Sequence, residues 1–188
     1  MAGDPLNASL WSEADVYVAP TGTTVPASGT ETWGVGWEFV GLLSGDDGFT
    51  TTREEDKNDL YAWGGILVRT SRKNFKMTKK FSALEDNAVT RDLVWPDSPA
   101  GSIIVPRPKD ILIGFETREG DKFHRLISAS RAQVDLDGDI VENESDLTKY
   151  ELVATIFPDA DGVLLTEQTF TITPVVPFAR EGKKAAAH

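Results

Sequence analysis

A mainly β fold follows from three features of this 188-residue sequence: a two-sheet β-sandwich or open barrel with one flanking α-helix. Apolar residues alternate with polar ones in several short runs, and Gly, Pro, Asn and Asp clusters separate those runs. Only one segment combines helical spacing with a capping residue before it and a proline after it. The length suits a single domain whose core buries about 70% of the unfolded surface.

The totals narrow the function classes. An apolar fraction of 40% and a charged fraction of 26% are those of an ordinary globular protein. No run approaches the roughly 20 apolar residues of a membrane helix. The N-terminus lacks a basic region followed by an apolar one, so no leader and no membrane partner are expected. Cysteine is absent, which excludes disulfides and thiolate chemistry. A net charge of −11 and a pI near 4.6 argue against a nucleic-acid binder, which would present a dominant basic surface.

In chain order, residues 1–13 show no period and are expected to form an N-terminal arm. Residues 14–19 are β-prone and stop at Pro20. Residues 21–32, rich in Gly, Thr, Pro and Ser, predict a flexible loop. Residues 37–43 are a second strand candidate, and Gly45-Asp46-Asp47-Gly48 marks a turn. A long loop is expected over about 44–65, with a brief extended start at 49–52 and a Trp63-Gly64-Gly65 corner. Strands are expected at 66–70 and 74–84; in the second, Phe75, Met77, Lys79 and Phe81 share the inward face, while Lys76, Thr78 and Lys80 share the other. That second face must meet water or an acidic partner.

Residues 86–95 predict the helix, with Asp86 or Asn87 as N-cap and Trp95-Pro96 as its end. Residues 96–108 form a proline-punctuated connection. Strands follow at 111–115, at 123–134, and across an Asp137-Gly138 hairpin turn to 139–141. Residues 150–157 alternate, 158–162 turn, and 164–173 form the last strand. One domain is thus expected over 14–173, with a C-terminal arm or appended polar tail over 174–188.

Catalytic chemistry is sparse. His124 is the only internal histidine, and no Gly-x-Ser-x-Gly elbow accompanies it. With no cysteine, the common zinc sets cannot be assembled. Asp135-Leu136-Asp137-Gly138-Asp139 places its glycine at position four rather than six, so a hairpin turn fits better than a calcium loop. No enzyme, metal or cofactor is expected.

The strongest feature is a reversal of charge. Asp46, Asp47, Glu54, Glu55, Asp56 and Asp59 crowd one block; Arg69, Arg72, Lys73, Lys76, Lys79 and Lys80 crowd the next. Such blocks can pair within one chain or between copies, and the lysines could equally form a solvated edge that blocks strand pairing. The expectation adopted is pairing between copies, through Asp46, Asp47, Glu54, Glu55, Asp56 and Asp59 on one side and Arg69, Lys76, Lys79 and Lys80 on the other. Tyr61 and Trp63 would supply the apolar centre of that contact.

Residues 14–20, 37–43 and Ser44-Gly45-Asp46-Asp47-Gly48-Phe49 resemble the major tail proteins (tail tube proteins) of long-tailed, siphophage-type actinobacterial bacteriophages. So do Asp59-Leu60-Tyr61-Ala62-Trp63-Gly64-Gly65, Val68-Arg69-Thr70, residues 81–85, the helix ending at Trp95, and residues 150–158 with Phe157-Pro158-Asp159. The likeness spans about 14–173. It implies a virion protein, assembled in the host cytoplasm into stacked hexameric rings that form the conduit for genome delivery. The implied partners are the chain itself, a tape-measure protein, and tail terminator and tail-tip proteins, with duplex DNA passing through the lumen without specific binding. A long early loop would reach the neighbouring ring. Two alternatives are a tube subunit of a phage-derived injection device and a β-sandwich binding module, for example for carbohydrate, which would show clustered surface aromatics.

Reversing Lys76 and Lys80 to Glu is expected to leave the monomer folded and to reduce tube length and yield under electron microscopy.

Overall fold

The computed structural model describes residues 8–171. Of the expected arms, residues 1–7 and 172–188 lie outside the described residues. Residues 8–12 lie beside the far ends of the next strands: Ser12 N–H donates to Arg118 O at 2.9 Å, and Trp11 stacks on His124.

Among the described residues, nine strands and one helix follow in chain order: β1 Glu13–Pro20, β2 Glu38–Phe39, β3 Thr50–Tyr61, β4 Leu67–Ala83, α1 Ala88–Val94, β5 Ile111–Glu119, β6 Lys122–Ser128, β7 Arg131–Leu136, β8 Tyr150–Phe157 and β9 Leu165–Thr171. All pairings are antiparallel, in the order β2-β1-β5-β7-β8-β4-β3, with β6 and β9 branching from β5. A single register pair, Ile111 with Ala132, joins β5 to β7. The sheet folds over at that junction into two layers, β2-β1-β5-β6-β9 and β7-β8-β4-β3, without closing into a barrel. Phe81 of one layer meets Phe115 of the other edge-on, at 5.9 Å between centroids.

Alternation explains the core. Val16 and Val18 on β1, Ile113 and Phe115 on β5, and Leu152, Ala154 and Ile156 on β8 all point between the layers. Leu93 and Val94 of α1 complete this cluster. Asn87, one of the two residues expected to cap the helix, accepts from the N–H groups of Val89 and Thr90 at 2.9 Å each. Its amide also donates to Val40 O at 2.7 Å, which fastens the helix start to the segment after β2.

The outer face of the first layer is covered by residues 21–37. Trp33 lies against Gly114, where a Cβ would fall inside the indole's van der Waals surface. Tyr17 stacks on the same ring at 4.4 Å, the Arg125 guanidinium sits 4.4 Å from its centroid, and Trp33 Nε1 donates to Glu116 at 3.1 Å. Arg125 and Glu116 form a buried ion pair beneath it, at 2.7 Å. Residues 21–32, read as a loop, hold no strand, and only Pro26 and Gly29 among them are buried; the packed cover is fixed by Trp33 just after them. Composition sees only its Gly and Thr, whereas the indole decides its position.

Several expected boundaries differ. The strand over 37–43 reduces to Glu38–Phe39 because Gly41, at φ 106°, turns the chain; an isolated bridge then joins Leu43 to Ala83. The strand over 123–134 breaks after Ser128 and changes layer. Asp137-Gly138 does not make a two-residue hairpin to a strand at 139–141. The strand that pairs β7 is β8, in register Leu136 with Leu152, and residues 137–149 are the connection. A longer strand with three core side chains outcompetes the local turn signal.

Gly114→Ala is expected to expel Trp33 and to cost about 1–3 kcal/mol. Urea unfolding should show the loss, with a red-shifted tryptophan emission in the folded baseline.

Candidate functional site

Strand β4 is more than twice as long as its inner neighbour. It pairs with β8 only over Met77 to Ala83, whereas residues 67–76 pair with β3 alone. The β3–β4 ribbon therefore projects about 33 Å past the sandwich at roughly 3.3 Å per residue. Most of the stretch expected to be an acidic loop, Thr50–Tyr61, is the outgoing strand of this arm. Acidic residues are poor strand formers in isolation, but the basic strand opposite offsets that preference.

The two charge blocks meet within one chain, along the arm. Glu54 stands opposite Lys76, Asp56 opposite Lys73, and Leu60 opposite Arg69. Arg72 and Lys57 approach Glu55 at 3.1 and 3.5 Å. Asn74 donates to Asp56 at 2.8 Å, and Thr70 donates to Asp59 at 2.7 Å. Asn74 itself, at φ 56°, provides the extra residue of a bulge between the Glu54 and Asp56 pairings. Asparagine tolerates that left-handed conformation better than most residues, and the bulge increases the local twist.

The other members of the expected contact sit at the arm's root. Asp46 is exposed in its turn, and Asp47 pairs with Lys149 at 3.0 Å. Lys149 holds the Asp47 carboxyl below its ordinary pKa. Lys80 is paired with Asp137, so the lysine face does meet an acid, but one on the same chain. Lys79 is 6% exposed and therefore offers no surface charge. Phase was read correctly there: Lys79 shares the inward face with Phe81. Phase alone misleads for Phe75, which keeps that orientation but lies beyond the core and is 52% exposed.

At the arm's end the charge gives way to apolar groups. Gly64 and Gly65, at φ 89° and 80°, form the corner, a conformation costly for residues with a Cβ. Trp63 is fully exposed there, and Tyr61, Leu60, Ile66, Leu67 and Val68 surround it, each about half exposed or more. Sequence inspection singled out Tyr61 and Trp63 and missed the four aliphatics. Their signal was available: bulky apolar residues on both sides of a two-glycine corner have no core to enter.

At the root lies a cavity of about 780 Å³. Leu10, Trp11, Leu42, Phe49 and Phe115 line it, with Lys79 in its wall. The Lys79 ammonium donates to the Thr51 hydroxyl at 3.1 Å and lies 5.2 and 5.1 Å from the Phe49 and Phe115 ring centroids. Among the described residues, no carboxylate lies within ion-pair distance of it. His124 borders the same cavity and is engaged with Glu167 at 2.9 Å.

A projecting ribbon with unpaired backbone on both edges and an apolar end is a device for binding another chain. Comparison with known families agrees: the model of the phage tail tube protein family matches residues 1–167. The chain belongs to the phage tail tube protein family. No curated protein sequence matches it significantly. Membership makes it a structural component of a phage tail that assembles with itself into a tube. The arm and the sheet's end strands, β2, β3 and β9, are the surfaces that a tube subunit has to offer. Trp33 and Trp37 do cluster, with Tyr17 and Phe39, but their faces are occupied by one another and by Arg125. That arrangement closes a cover instead of presenting a sugar platform.

Burial lowers the Lys79 pKa below the ordinary lysine value of 10.5. Between that lowered value and 10.5 the unfolded chain binds the extra proton, so this residue makes stability rise with pH across the window. Lys79→Met is expected to flatten the rise in urea midpoints measured as pH increases toward the ordinary lysine value of 10.5.

Proposed function

We propose that this tail tube protein forms hexameric rings that stack into the genome conduit of a long-tailed phage, and that the β3–β4 arm carries the contact between rings. The observation that carries this reading is the arm itself. An isolated two-stranded ribbon is marginally stable in water, and this one ends in uncovered apolar side chains. Exposed pairs such as Glu55 with Arg72 contribute about 0–1 kcal/mol each. Affinity therefore resides in Tyr61, Trp63 and the neighbouring aliphatics, while Asp56, Asp59, Arg69 and Lys76 stiffen the arm and fix its register. Asp46 and Glu54, near the root, belong to the rim of the contact.

The same reading assigns the lumen to the open face of β7-β8-β4-β3. The register places Thr52, Thr78, Thr155 and Gln133 in one uncharged row across that face. Around it, Lys76, Lys80 and Arg131 are balanced by Glu54, Asp135 and Glu151. A wall whose cations are matched in number by acids would let duplex DNA pass without adhering. The opposite layer is closed by Trp33 and its neighbours and would face outward. The free edge of β3 and the largely free second edge of β7 would join between copies, since ring closure removes exposed edges. A tape-measure protein inside the tube, and terminator and tip proteins at its ends, are the further partners this role requires. The resemblance to actinobacterial siphophage proteins supports a non-contractile particle, and a genome within it separates that reading from an injection device.

Negative-stain microscopy of concentrated protein is expected to show sixfold rings and stacked tubes. Replacing residues 56–72 by a short glycine-rich turn should leave rings and abolish stacking; tubes of normal length from that variant would refute the arm's role.

A further inference from the structure

We propose that the cavity beside Lys79 is the receptor for the arm of a second copy, with Trp63 seated against the Lys79 ammonium. The proposal rests on the arm making the contact between rings and names the surface that receives it. Two uncovered apolar features occur on one chain, and they are complementary in kind. The arm's end is convex and aromatic; the cavity, about 780 Å³, is concave and lined by Leu10, Leu42, Phe49 and Phe115. Its volume accommodates an indole with one or two flanking side chains.

Electrostatics points the same way. Lys79 is a buried cation with one neutral hydrogen-bond partner, the Thr51 hydroxyl, and two ring neighbours. A desolvated ammonium gains from a further aromatic face or a carboxylate. The arm brings both, in Trp63 and in Asp59, four residues apart. Of the basic surface first expected to receive it, Lys80 already pairs with Asp137 in cis, and Lys76 stands opposite Glu54 in the ribbon register.

The contact cannot form within one chain. From Lys79 to the corner, β4 runs from residue 79 to residue 67, about 40 Å at roughly 3.3 Å per residue, along an extended ribbon. Its end therefore reaches a neighbouring copy displaced by about that distance. A patch on one part of a molecule that fits a pocket on another part generates an open, head-to-tail stack. The spacing of that stack is then set by the arm, at no more than about 40 Å per ring, reduced by the two bulges in the ribbon.

The test uses the absence of native cysteine. Ala62, beside Trp63, and Gly45, in the cavity lining with open space around it, are exposed, so A62C and G45C leave the proposed contact residues in place. Tubes of the double variant A62C/G45C, oxidised and run on a non-reducing denaturing gel, should give a ladder of linked chains. A62C/I103C, whose second position is exposed but outside the cavity lining, should give monomer. Assembled A62C/G45C tubes without a ladder, or a ladder from A62C/I103C, would overturn the receptor while leaving the tube reading intact. Hydroxyl-radical footprinting of the unaltered protein decides independently of the cysteines. Trp63, Leu10 and Leu42 should all lose labelling on assembly. Loss at Trp63 alone would place the arm elsewhere, and protection of Leu42 already in single chains would assign the cavity to the chain's own residues; either result removes the proposal. Failure of the unaltered protein to make any tube would instead strike the ring-stacking reading itself.

Discussion

The structure turns on a mismatch of strand lengths. Half of β4 has β8 beside it and half does not, so one hairpin belongs to the sandwich at its root and to no layer at its end. The unsupported half must satisfy its outer backbone groups with water or another chain, and it carries its bulkiest apolar residues where no core of its own can reach them. Everything distinctive about the surface follows from that geometry. A monomeric sandwich would have ended β3 and β4 at the height of β8.

Charge plays a supporting part in this arrangement. The acidic and basic blocks sit across from each other because the hairpin register puts them there, and exposed cross-strand pairs stabilise a ribbon only modestly. Their larger effect is on specificity: Arg72, Lys73 and Lys76 each have an acid beside or opposite them, and a ribbon so matched offers little to the wrong partner. Lys79 differs from the rest of its block in being buried. It has a carboxylate partner on neither strand, and it marks the boundary between the solvated arm and the buried root.

The two layers differ in what covers them. Gly114 lets Trp33 approach the first layer closely, and the buried Glu116–Arg125 pair is satisfied only because the indole N–H and the Glu31 carbonyl complete its hydrogen bonds. The second layer has no such cover among the described residues, and an uncharged row of Thr52, Thr78, Thr155 and Gln133 crosses its outward face. One face is finished by the chain itself, and the other is left open.

The sequence by itself determined the class of fold, a helix capped at Asp86 or Asn87, the inward phase of Met77, Lys79 and Phe81, and the reversal of charge between Asp46 and Lys80. These are local properties, set by period, capping and composition, and the family likeness drew on their order. Only the tertiary structure decided that the opposed charges meet in cis, because pairing depends on hairpin register across a corner. It also decided that residues 50–61 are strand, that residues 21–37 are a cover, and that Leu60, Ile66, Leu67 and Val68 join Trp63 in an exposed cluster. Exposure depends on where neighbouring strands stop, and the length of β8 is not written anywhere in β4.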